Sequence, residues 1–227
     1  MTFARSRYVV VTGTDTGVGK TVTTAALVAV LAALGRSVAV VKPVQTGVSG
    51  DEPGDIAEIV RLTGHQDVHE YVRLRPALAP ESAALAEAIQ LPTIDEVAAR
   101  IRQVDADVVL VEGAGGLLVR MDLLGGTILD LAATLDAEVV IVARESLGTL
   151  NHVALTLAAV EQAGIRPRLV LGSCMADPGP AERSNHADIP RLTGRPIFGR
   201  LPEGAGALDR TEFCKQAPTW FEVPPAN

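Results

Sequence analysis

The sequence predicts an α/β fold, a mostly parallel central sheet flanked by helices, and three observations predict it. Short runs rich in Val and Ile alternate with helical stretches along the chain. Aromatic residues make up only 3% of the sequence, so the core must be aliphatic, as suits parallel strands buried on both faces. A glycine-punctuated loop joins the first strand to the first helix. At 227 residues and 48% hydrophobic content, with no Ser/Gly-rich linker, a single domain over 1–227 is expected.

Residues 8–12 read as the first strand, which runs into GTDTGVGKT at 13–21. In such a loop successive backbone N–H groups turn towards a phosphate, the following helix adds its positive dipole end, and a lysine reaches the outer phosphates. Lys20 takes that place, and Thr21 offers a hydroxyl to magnesium. Five residues separate Gly13 from Gly19 where the common pattern has four, so this is a variant phosphate loop in a fold of the P-loop NTPase type. The bland reading is a glycine-rich turn with a surface lysine. Strand, loop, Gly-Lys-Thr and helix in that order argue against it.

The helix from Lys20 should stop near residue 34, with Gly35 as a left-handed cap. Residues 37–42, SVAVVK, form the second strand, implying a right-handed βαβ crossover. It ends in KPVQTG, which puts Lys42 and Thr46 at the carboxyl end of a strand, where ligands of open parallel sheets collect. Taken alone, that lysine is as readily a solvated surface group. Asp55 opens a helix over 56–62 and by itself reads as an N-cap. Pro76 and Pro80 interrupt the pattern that follows, leaving only a helix over 81–88. Thr93-Ile94-Asp95-Glu96 is a capping box for a helix reaching about residue 104.

Residues 108–111 are a buried strand that ends in Glu112, Gly113, Ala114, Gly115 and Gly116. An acid there, beside glycines that permit close backbone approach, can hold magnesium directly or through water. The plainer possibility is a solvated glutamate in a turn. A short helix over 127–134 and a strand over 138–142 precede Leu147, Gly148, Thr149, Leu150, Asn151 and His152. This stretch opens a helix to residue 163, stopped by Gly164, whose start is a candidate anion site. His152 reads as a hydrogen-bonded structural histidine. Strands over 169–171 and 197–201 follow, and Pro-rich 217–227 reads as a helix end and tail.

A net charge of −7 with scattered Lys and Arg disfavours nucleic acid and anionic membranes as partners. Cys174 and Cys214 have no close Cys or His at metal-ligand spacing and read as free thiols. Arg5 and Arg7 precede an apolar run, but Gly13 cuts it short, and the longest other run, 25–34, falls well below the roughly 20 residues of a membrane span. A cytoplasmic protein with small-molecule partners is expected.

Four motifs, GTDTGVGKT at 13–21, KPVQTG at 42–47, VEGAGG at 111–116 and LGTLNH at 147–152, resemble the dethiobiotin synthetase family in order and separation. The resemblance spans most of the chain, but 178–188 and the tail match no pattern of that family. It implies ATP- and magnesium-dependent closure of a ureido ring on 7,8-diaminononanoate with carbon dioxide, through a carbamate and a phosphorylated carbamate. It further implies that Gly17, Val18, Gly19, Lys20, Thr21 and Val22 cradle the nucleotide phosphates, with Gly113, Ala114 and Gly115 close by. Thr21, Asp55 and Glu112 would hold magnesium, reversing the cap reading of Asp55. Lys20 and Lys42 would be the catalytic cations, and Thr16 and Thr46 would contact substrate. Gly148, Thr149, Leu150 and Asn151 from the partner subunit of a homodimer would receive the substrate carboxylate. Ser173, Pro202, Glu203 and Gly204 would face the nucleotide base. Relatives often carry Asn-Asp where Ser173 and Cys174 align, so base selection should be loose and other nucleoside triphosphates accepted.

Two alternatives share parts of this pattern. Partitioning and division-site ATPases use a related loop with an additional early lysine, but Thr14-Asp15-Thr16 has none. Amide-forming ligases of cobalamin synthesis append a glutaminase domain, for which 227 residues leave no room.

Overall fold

In the computed structural model, residues 6–222 are described; Arg5 and the end of the tail, 223–227, on which two of the expectations fall, lie outside them. The strands are β1 (Tyr8–Gly13), β2 (Val38–Thr46), β3 (Val68–Leu74), β4 (Val108–Gly116), β5 (Glu138–Arg144), β6 (Pro167–Cys174) and β7 (Ile197–Pro202). The α-helices are α1 (Lys20–Ala33), α2 (Asp55–Thr63), α3 (Pro80–Glu87), α4 (Ile94–Arg102), α5 (Ile128–Thr134), α6 (Thr149–Gln162), α7 (Pro180–Thr193) and α8 (Arg210–Gln216).

All seven strands pair in parallel, in the order β3-β2-β4-β1-β5-β6-β7. β4 therefore lies between β1 and β2. From β1 the chain first builds towards β3 and, after β4, turns to the other side through β5. The crevice at the carboxyl end of β1 lies at that switch of direction, where open α/β sheets bind ligands.

Alternation along each strand supplies two cores. Val9 and Val11 face a layer containing Leu27 and Leu31 of α1, Ile59 and Leu62 of α2 and Phe213 of α8. Val10 faces the other layer, with Ile101 of α4, Leu131 of α5, Val153 of α6 and Ile189 of α7. Strands sandwiched in this way carry apolar residues on both faces, which is why they read as unbroken Val/Ile runs.

Several boundaries move outwards from the expected ones, towards the site. β2 continues four residues beyond Lys42, with Pro43 just past the last residue paired to β4, Val41. β4 continues through its glycines to Gly116. The Thr93–Glu96 capping box forms as expected, and Thr127 with Asp130 makes a second one. β3, α7 and α8 are additions to the elements read from sequence.

Candidate active site

β1 delivers the phosphate loop. Gly17 and Gly19 take φ of 69° and 100°, left-handed values that an L side chain adopts only with strain. Through them the loop folds back and enters α1, whose first N–H groups have no side-chain cap. Lys20 reaches back over the loop and donates from Nζ to the Asp15 carbonyl at 2.9 Å. Arg144, at the end of β5, donates to the Thr16 carbonyl at 2.9 Å from outside. β6 closes the underside at Gly172, where an added Cβ would stand 2.2 Å from the Val18 carbonyl oxygen. A side chain cannot fit there, and the loop rests directly on the strand.

β2 and β4 deliver the charged centre. Lys42 is buried, and its Nζ lies 2.5 Å from Asp55 Oδ2 and 2.9 Å from Glu112 Oε1. It also donates to the Gly113 carbonyl at 2.9 Å. Thr21 donates from its hydroxyl to the same Glu112 Oε1 at 3.0 Å. Burial works against the charge on Lys42, but Glu112 and Asp55 outweigh it and raise its pKa above the ordinary lysine value. Burial would likewise raise Asp55, yet the adjoining Lys42 ammonium holds its carboxyl below the usual range. For Lys20 the balance falls the other way: burial, then repulsion from Lys42, outweighs the attraction of Glu112, Asp55 and Asp15 and lowers its pKa.

Asp55 departs from the stand-alone cap reading. The N-cap of α2 is Gly54, and Asp55 is the first helical residue, its carboxylate spent on Lys42. Gln45 sets this up by accepting the Asp55 N–H at 2.9 Å, a positioning role the sequence reading missed although the residue lies within KPVQTG. Arg73, on the unexpected β3, donates to the carbonyls of Gly50 and Glu52 and steadies the turn leading to Asp55.

Thr16, Gly17, Gly19, Lys20, Thr21, Val22, Lys42, Thr46, Asp55, Glu112, Ala114 and Gly115 line one cleft of about 700 Å³. Val18 is buried beneath it, and Gly113 meets it through the carbonyl bound by Lys42. The opposite wall is apolar, made by Ala77, Leu78, Ala79, Pro80 and Val119, which no sequence signal distinguished.

Other expected residues fall elsewhere. Gly148 is the N-cap of α6, and Gly148, Thr149, Leu150 and Asn151 do not line this cleft. His152 is exposed, and its ring has no hydrogen bond among the described residues, correcting the expectation of a hydrogen-bonded structural histidine. Ser173, with φ of 55°, and Pro202, Glu203 and Gly204 stand together beyond the loop, where the Glu203 N–H donates to the Cys174 carbonyl at 2.8 Å.

Thr21, Asp55 and Glu112 are oxygen donors and suit magnesium. Glu112 Oε2 is buried without a hydrogen-bond partner, a free lone-pair site beside the cleft. Two lysines face two carboxylates here, so a triphosphate arriving alone would crowd several negative charges against Glu112 and Asp55. A divalent cation relieves that repulsion, and the residues present fit one.

Fold and site together define a P-loop nucleotide-binding protein. A family model described as an AAA domain matches residues 7–207, and an ATP-dependent dethiobiotin synthetase of Rhodococcus jostii is 48% identical over 216 residues, 94% of each chain. The chain belongs to the ATP-dependent dethiobiotin synthetase family, a family of cyclo-ligases. The Streptomyces coelicolor relative of the same name is 46% identical over 218 residues, covering 95% of this chain and 92% of the relative. Among solved structures, a ParA family ATPase from Chlorobium tepidum superposes with a TM-score of 0.57 at 17% identity, over 94% of this chain and 92% of that one. A MinC:MinD cell division complex from Aquifex aeolicus gives 0.57 at 15% identity, over 93% and 86%. At such identities the likeness is one of fold alone.

Proposed function

We propose that this chain converts 7,8-diaminononanoate, carbon dioxide and ATP into dethiobiotin, ADP and phosphate. One observation carries the reading: the buried Lys42, held charged by Asp55 and Glu112, opens on the same cleft as the phosphate loop. An amine and carbon dioxide combine to a carbamate, whose negative charge Lys42 stabilises. The carbamate oxygen then attacks the γ-phosphorus of ATP, ADP leaves, and a mixed carbamic-phosphoric anhydride results. Lys20 and the free N–H groups of α1 balance the charge that shifts towards the leaving oxygens. The second amine attacks the carbonyl carbon, phosphate leaves, and the five-membered ring closes. Magnesium, held by Thr21, Asp55 and Glu112, would supply further neutralisation of phosphate charge. No side-chain nucleophile enters any step.

Thr16 and Thr46 line the cleft, and on this reading they contact the substrate. The distant carboxylate needs a receptor that the cleft's apolar wall does not offer. The start of α6 in a second subunit, Gly148 to Asn151, would offer a positive dipole end and uncapped N–H groups, the Thr149 N–H apart, which donates to the Ser146 carbonyl, in a cytoplasmic homodimer with shared sites. The experiment is mass detection of dethiobiotin after incubation with 7,8-diaminononanoate, bicarbonate and magnesium ATP. Folded protein that makes no product overturns the proposal.

A further inference from the structure

β5, β6 and α7 bring together three groups that their sequence spacing does not associate. Glu145 follows β5, Cys174 ends β6, and His186 lies within α7. One ligand atom from each stands within 4.8 Å of the other two. The Glu145 side chain is only 4% exposed, and its Oε2 meets His186 Nε2 at 2.8 Å. Its Oε1 accepts the Met175 N–H at 2.6 Å. Buried Asn185 donates to the carbonyls of Glu145 and Ser146 at 2.8 and 3.2 Å, pinning the turn from which the acid projects. The His186 side chain is 23% exposed, so the cluster opens to solvent on one side.

We infer that Glu145, Cys174 and His186 form a second metal site, for a zinc-like divalent ion, with the fourth coordination position left to water or an external ligand. A thiolate, an imidazole and a carboxylate together select zinc and its neighbours over magnesium or calcium, which take oxygen ligands. Three protein ligands with one open position is the arrangement of an accessible zinc site. The ion would take the place of the proton in the Glu145–His186 hydrogen bond, the neutral ring then carrying its N–H on Nδ1 with any excess proton released to solvent, and the Cys174 thiol proton would pass to solvent as the sulfur bound.

Two other readings of the cluster fit less well. Cys174 is no Cys–His nucleophile, because burial, with Glu145 beside it, pushes its thiol up to about 12 against a smaller opposing effect of Arg200. A plain Glu145–His186 tie between β5 and α7 accounts for the acid and the imidazole but not for the sulfur beside them, which donates to the Leu171 carbonyl at 3.6 Å and packs against the core. None of its three residues lines the cleft at the phosphate loop, and Cys174 adjoins Ser173 and through its carbonyl accepts the Glu203 N–H beside the stretch expected to face the base.

The test is cobalt(II) titration of the chelator-treated full chain, with magnesium in large excess to occupy the oxygen-donor site. Wild type and Cys214→Ser should each bind one cobalt per chain and show a thiolate-to-cobalt charge-transfer band, which zinc then bleaches. Cys174→Ser should lose the band. His186→Ala, or His186→Asn if the first is unstable, should bind more weakly by at least the roughly 10–100-fold that loss of an outer partner costs. Melting curves establish that each variant is folded. No band in folded wild type, or a band that survives in Cys174→Ser, overturns the proposal.

Discussion

Lys42 and Glu112 form a buried ion pair at 2.9 Å, with 3% and 0% of their side chains exposed, between the midpoints of neighbouring strands β2 and β4. The pair ties the stability of the site to its chemistry. Breaking one partner leaves the other charged and dry, whereas exchanging both for uncharged groups of similar volume removes the penalty.

Glu112→Gln should therefore destabilise the protein by about 1–3 kcal/mol, at the lower end because Asp55 still faces Lys42. The triple variant Lys42→Met/Asp55→Asn/Glu112→Gln, which leaves none of the three charges without a partner, should regain most of that stability and none of the dethiobiotin-forming activity. Denaturant unfolding with a parallel product assay reads both. A triple variant no more stable than the single one would show that an unpaired buried charge is not what destabilises Glu112→Gln.

The same cluster fixes the sign of the pH response. The folded pKa of Asp55 lies below its unfolded value, so its contribution is present above the ordinary aspartate range near 3.9 and is lost as pH falls through the folded value. Lys42, raised in the folded state, contributes fully below about 10.4 and loses that contribution as pH rises through its folded value. Lys20, lowered by burial, has the opposite sign and adds stability as it discharges on the alkaline side. Urea midpoints should then be flat with respect to Asp55 and Lys42 between about pH 5 and 9, and Asp55→Asn should flatten the acid limb and also lessen the alkaline loss carried by Lys42. An unchanged acid limb in that variant would contradict the assignment.

The proposed sharing of sites between two subunits predicts complementation. Lys42→Met inactivates the phosphoryl end, and Gly148→Val disturbs the start of α6, where φ of 95° disfavours any side chain although space is open. Verified heterodimers of the two should recover about one competent site per dimer, read as turnover after subunit exchange. No recovery would place the whole site in one chain.

Nucleotide choice should be permissive. Ser173 is exposed and offers one hydroxyl, which cannot pair with adenine in the bidentate way a side-chain amide can. CTP, GTP and UTP should support the reaction within about tenfold of ATP, a gap of roughly 1.4 kcal/mol. Steady-state rates decide it, and a preference for ATP beyond about a hundredfold would mean that another group reads the base.

Fold class and phosphate loop were legible because both are written in consecutive residues: apolar runs for strands buried on two faces, glycines at the turns, Lys20 and Thr21 at the helix start. Elements with little apolar surface were not. β3 is an edge strand carrying His69, Glu70 and Arg73, without the Val/Ile run of its neighbours. α7 has Pro190 inside it and buries only Asn185 and Ile189, so no helical stripe marks it. α8 buries Phe213 alone. Asp55 shows the limit of local reasoning, since its partner lies in β2 and only the folded sheet brings Lys42 to it.

The contact between Gly172 and Val18 bears on how the loop meets its ligand. A phosphate loop that hung free would have to surrender backbone freedom on capturing an anion, and each residue so ordered would weaken binding by about 1–2 kcal/mol. Here β6 supports the loop from below, Arg144 holds it from the side and Lys20 ties it from above, so that ordering is complete once the chain has folded. Association with a phosphate group is thereby left to electrostatics and desolvation, and the entropy of the catching surface drops out of the affinity.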